Sequence, residues 1–79
     1  MTSSIRDPRE DDQLLTMEEV SDVVRVPIAT LRYWRHLGMG PHGFRVGRNV
    51  RYWRLDVLEW LRQQANEDAA DIHSRPRLA

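Results

Sequence analysis

Residues 27–38 read PIATLRYWRHLG. Proline suits the first position of a helix, where its missing N–H has no partner to lose, and glycine is the ordinary residue just past the last turn. Between these two signals Ile28, Leu31 and Trp34 recur at helical spacing, with the aliphatic stem of Arg35 on the same side and Leu37 beside Trp34. These residues are expected to face a core. Ala29, Arg32, Tyr33 and His36 stand at i, i+3, i+4 and i+7, so they form a second stripe pointing away from it. A small residue, an arginine, a tyrosine and a histidine in a row make a face that can approach DNA closely, donate to base edges and touch thymine methyls.

Working outward toward the N-terminus, TMEEVSDVV (16–24) places Thr16 three residues before Glu19, the spacing of a capping box. Met17, Val20, Val23 and Val24 then predict a short helix from about residue 17 to 24, and Arg25-Val26 leaves a tight connection into Pro27. The segment before Leu14 carries Pro8, alternating charges and little that is apolar, so ordered structure is expected to begin at Leu14.

On the other side, GMGPHG (38–43) is a literal G-x-G-x-x-G, the spelling of a dinucleotide-binding loop. Such a loop must follow a strand and open a helix, so that the pyrophosphate meets the free N–H groups of a helix N-terminus. Here the loop follows a helix, whose C-terminal dipole is negative, and Pro41 removes one N–H. The glycines read instead as a helix stop and a flexible corner.

FRVGRNVRYW (44–53) alternates on either side of Gly47-Arg48-Asn49, the pattern of a two-stranded hairpin. Arg45, Arg48 and Arg51 are its expected outward positions, and Val46, Val50 or Tyr52 must pack on the helices, because a lone hairpin is marginal in water. Trp53 is expected to be exposed beside Arg51 and Arg54. LDVLEWLRQQANEDA (55–69) puts Val57, Trp60, Leu61 and Gln64 on one stripe of a third, closing helix. Trp34 and Trp60 read as core rather than as a stacking platform. Leu55 and Leu58 lie off the stripe, as peripheral core or as a contact between protomers.

The expected organisation is an acidic, disordered arm at 1–13, one domain at 14–68 and a frayed tail at 69–79. Seventy-nine residues allow a limited core and little room for a deep substrate pocket. From Met1 to Val24 two arginines face seven acidic residues, whereas from Arg25 to Arg62 eight arginines face two. A basic block with interleaved aromatics is an electrostatic footprint for nucleic acid. All 12 basic residues are arginine, a bias that G+C-rich codon usage produces as readily as phosphate recognition does. Cysteine is absent, which removes disulfides and thiolate metal sites. His36, His42 and His73 lack ligand spacing, and Ser21, His36 and Asp56 do not suggest a triad, so no metal, cofactor or catalytic residue is expected. No run approaches the roughly 18–20 apolar residues of a membrane span.

TLRYWRHLGMGP (30–41) is similar to the TLRYYE-type recognition helix and following loop of the MerR superfamily. RVGRNVRYWRLDVLEWL (45–61) resembles the wing and last helix of small phage or plasmid excisionases and AlpA-like regulators. The ordered run of LLTMEEV, ATLRYW, FRVGRNVRY and DVLEWL extends the likeness over residues 14–64. The resemblance implies a small α+β winged helix-turn-helix: a helix-turn-helix, a two-stranded β-hairpin wing and a closing helix. It also implies a recognition helix in the major groove of double-stranded DNA and a wing over the phosphates or minor groove. Arg32, Tyr33 and His36 would read bases, Ala29 would allow close approach, and Thr30 and Arg35 would complete the recognition helix. Arg45, Arg48, Asn49 and Arg51 would be wing contacts.

The sequence departs from that pattern in three places. Arg25 occupies a turn where relatives often have glycine, and a positive φ there costs roughly 1–2 kcal/mol. Pro27 and Leu55 each stand where a serine-like cap is usual. Nothing after Gln64 matches the long dimerising helix and effector domain of full MerR regulators, so the expected role is that of a stand-alone module. The leading expectation is a non-catalytic excisionase that bends DNA in the bacterial cytoplasm, at the nucleoid. It would bias an integrase, a tyrosine or serine recombinase, toward excision and bind cooperatively to repeated sites. The alternatives are an AlpA-like or MerR-like transcriptional regulator, and a protein-interaction module whose arginine face meets an acidic partner.

Overall fold

The computed structural model describes residues 10–74. Residues 1–9 and 75–79, which make up most of the expected arm and part of the expected tail, lie outside the described residues. The elements in chain order are β1 (Leu14–Thr16), α1 (Met17–Val24), α2 (Ile28–Leu37), β2 (Gly43–Val46), β3 (Asn49–Trp53) and α3 (Arg54–Ser74). Their arrangement is the α+β winged helix-turn-helix expected from the sequence, with one strand more. Among the described residues no helix is long and apolar enough to cross a membrane.

The added strand is β1. It pairs antiparallel with β3, Leu15 opposite Tyr52 and Thr16 opposite Arg51, so the sheet runs β1-β3-β2. Three residues are too few to show an alternating pattern, and their partner lies far along the chain. β2 pairs with β3 on the other side, Gly43 opposite Tyr52 and Val46 opposite Asn49.

The core forms where the helices meet one face of this sheet. Leu15, Val20, Leu31, Tyr52 and Val57 are buried, one each from β1, α1, α2, β3 and α3. Met17, Val24, Val26, Trp34 and Val50 pack around them. Trp34 and Trp60 stack obliquely, with ring centroids 5.5 Å apart and planes at 50°. So small a core covers only a narrow strip of each helix. Val23 and Leu37 have helical spacing but remain exposed, Leu37 by 48%. Gln64 is exposed, and Val46 is exposed because it sits toward the ribbon's far end, opposite Asn49. Trp53, expected to be exposed, is half-buried and pairs with Phe44 at 6.2 Å on the outer sheet face.

The helix ends are settled by backbone chemistry. At α1 the capping box is complete: the Glu19 N–H donates to Thr16 Oγ1 at 3.1 Å, and the Thr16 N–H to Glu19 Oε1 at 2.8 Å. Arg25 ends α1 in the left-handed region, φ 63° and ψ 41°, while its N–H donates to the Ser21 carbonyl at 2.8 Å. Ser21 Oγ donates to the Val26 carbonyl at 2.5 Å and ties the same turn. Pro27 is the N-cap of α2 rather than its first residue, and no side chain caps that end. Its carbonyl accepts from the N–H groups of Thr30 and Leu31.

At α3 the missing local cap is replaced from a distance. Asp12 Oδ1 accepts from the Leu55 N–H at 3.0 Å, and the Gln13 carbonyl from the Arg54 N–H at 2.8 Å. Two residues assigned by sequence to the mobile arm therefore hold the start of the last helix. That helix runs on to Ser74, into the stretch 69–79 expected from the sequence to fray.

The loop between α2 and β2 shows what its glycines do. Gly38 caps α2 in the left-handed region. Gly40 combines φ 79° with a close approach to Trp34, whose Cε3 would lie 3.1 Å from an added Cβ. At Gly43 a Cβ would stand 2.8 Å from Tyr52 Cε2, so the strand can lie against the buried ring only without a side chain.

Candidate nucleic-acid interface

The outward stripe of α2 is exposed as its spacing predicts. Ala29, Arg32 and His36 are exposed, and Tyr33 is 62% exposed. Leu31, on the opposite side, is buried and fixes the rotation of the helix. Thr30 is half-buried at the flank.

The start of α1, which packs against β3, lies in a groove that also takes in Arg32 of α2 and the ribbon. The groove is lined by Met17 and Glu18 from the start of α1, Arg32 from α2, and Arg48, Asn49, Val50 and Arg51 from the ribbon. Arg32, Arg48 and Arg51 thus line one groove, and Arg45 is not part of its lining. Among the described residues Arg32, Arg45 and Arg48 have no hydrogen-bond or ion-pair partner, which leaves their guanidinium groups available to an incoming acceptor. Arg51 is half-buried, and its Nη1 donates to the Val50 carbonyl at 2.8 Å.

Arg45 and Arg48 are exposed and Arg51 is half-buried, and the strand register places Arg45 and Arg51 on different faces of the ribbon. Arg45 lies opposite Val50, and Arg51 opposite Phe44 and Thr16. Paired residues share a face and successive ones alternate, so Arg45 is on the core side of the ribbon and Arg51 leaves from the outer side. Arg48 is in the turn between them.

Arg35 stands apart from the Arg32 groove. It is half-buried and lines a second pocket with the 38–43 loop, and its Nε is buried without a hydrogen-bond partner. Burial pushes the neighbouring Tyr52 phenol above its ordinary pKa, while the Arg35 charge pulls in the opposite direction. Leu55 is exposed and Leu58 half-buried near the start of α3.

Met17 and Glu18 are the groove residues that sequence reasoning missed. Their only signal was negative: Glu19 has a capping role and Glu18 has none. No group of three or more His, Asp or Glu side chains among the described residues is placed to hold a metal ion.

The profile of the family described as a helix-turn-helix domain matches residues 14–65, which spans every element from β1 into the middle of α3. Comparison with curated proteins and comparison with solved structures each return no match. The chain belongs to the helix-turn-helix domain family, whose members include small DNA-binding proteins of the excisionase and AlpA-like kinds.

Proposed function

We propose that this chain is a non-catalytic, sequence-specific and DNA-bending protein that acts as an excisionase, directing an integrase toward excision in the bacterial cytoplasm. The observation that supports it most is the groove in which Arg32 of the recognition helix faces Arg48, Asn49 and Arg51 of the ribbon. With α2 in the major groove, Arg32, Tyr33 and His36 reach base edges and Ala29 permits the close approach. The ribbon then lies over the adjacent backbone, where Arg48 and Asn49 meet phosphates. Arg45 and Arg51, on opposite ribbon faces, straddle the strand that runs between them.

A helix and a ribbon rigidly joined at a small core hold DNA at two places at once, which favours a bent duplex over a straight one. The exposed Leu55 and the neighbouring Leu58 offer an apolar contact between protomers on repeated sites.

A salt titration of duplex binding tests the DNA reading. Engaging about five phosphates gives log K against log[salt] a slope of roughly −4 to −5, and a slope near zero removes it. The recombination role is tested by adding the protein to an integrase and its attachment-site substrate. Excision that rises with the protein supports the role; promoter occupancy that alters transcription with no effect on recombination supports a regulator instead.

A further inference from the structure

Glu18 is the carboxylate in a groove whose other polar lining residues are Arg32, Arg48, Asn49 and Arg51, beside the apolar Met17 and Val50. Its neighbour Glu19 is committed to the capping box. Glu18 is exposed and has no hydrogen-bond or ion-pair partner among the described residues, so its oxygens are open to an incoming donor.

A negative group at this point opposes any phosphate that enters between helix and ribbon. The same carboxylate is an acceptor only, and the major-groove edge offers it two donors, the exocyclic amines of cytosine and adenine. We infer that Glu18 is a specificity-determining residue, accepting from such an amine beside the base read by Arg32 and repelling backbone wherever that amine is absent. On a matching site the hydrogen bond offsets the repulsion. On any other sequence the repulsion stands alone, so discrimination comes from the penalty as much as from the contact.

This inference rests on the DNA-binding reading above. The test compares wild type and Glu18→Gln on a duplex selected from a random library and on an unrelated duplex, across a range of salt. Removing one opposing charge is expected to raise affinity for the unrelated duplex by about five- to tenfold near 0.1 M salt, and to steepen its salt slope by about 0.9. Affinity for the selected duplex is expected to stay level or fall, so the ratio between the two drops.

If both affinities rise equally, or neither changes, Glu18 has no part in discrimination and the inference is overturned. A wild-type protein that shows no salt-dependent binding to either duplex would instead sink the DNA-binding reading itself. Glu18 also lies in the first turn of α1, where a carboxylate favours the helix. A purely structural loss would lower the melting temperature and weaken both duplexes alike.

Discussion

The Leu55 N–H at the start of α3 is bonded to Asp12 Oδ1 at 3.0 Å, across 43 residues of chain. A helix that begins Arg-Leu-Asp has no cap of its own, and the segment just before β1 supplies one. The bond ties the segment before β1 to the start of α3 and sits where β1 and β3 pair, Leu14 against Trp53. Asp12→Ala is predicted to destabilise the protein by about 1 kcal/mol, the usual worth of an N-cap, and Asp12→Asn by much less. Thermal melting should register the alanine change as a drop of roughly 4–8 °C for a domain of this size. An unchanged melting temperature would mean that the distant cap contributes nothing.

Gly43 lies flat against the ring of Tyr52, and its φ is not positive, so space and not backbone strain excludes a side chain there. Gly43→Ala is predicted to cost about 1–3 kcal/mol, because the buried ring has no room to retreat. Denaturant unfolding should show a lower midpoint with an unchanged slope. Stability equal to wild type would mean that β2 can slide away from the ring freely.

Tyr52 gives the fold a dependence on alkaline pH. Burial holds its phenol above the ordinary value of 10.0, despite the opposing pull of Arg35. The folded state therefore prefers the neutral phenol more strongly than the unfolded chain does. Its contribution is intact below pH 10 and is lost as pH rises through the folded value. Unfolding free energy measured at increasing pH should fall in this range for wild type and fall less for Tyr52→Phe. Parallel curves for the two proteins would rule Tyr52 out as the cause.

Much of this architecture is legible in the sequence because it is written locally. Thr16 and Glu19, Pro27 and Gly38, and the Gly47-Arg48 turn, which the structure shortens by giving Asn49 to β3, each mark an element boundary within a few residues. What stays hidden is what the chain settles at long range. β1 is three residues whose strand identity depends on Tyr52, and the cap of Leu55 depends on Asp12. The exposure of Val23 and Leu37 follows from how little surface a core of five buried residues can cover. In the interface, the Arg32 stripe follows from helical spacing alone. Glu18 could not be seen because only the tertiary fold brings the start of α1 against the ribbon, and the split of Arg45 from Arg51 follows from a register the sequence leaves open.

In the proposed function α2 and the ribbon act together on DNA, the helix reading bases and the ribbon holding phosphates. This joint action is tested most directly by the affinities of Arg32→Ala and Arg48→Ala for a selected duplex and for an unrelated one. Arg32→Ala is predicted to weaken the selected duplex by about 1–3 kcal/mol and barely alter the unrelated one, whereas Arg48→Ala weakens both alike. Equal losses on both duplexes for Arg32→Ala, or no loss on either for Arg48→Ala, would contradict the account.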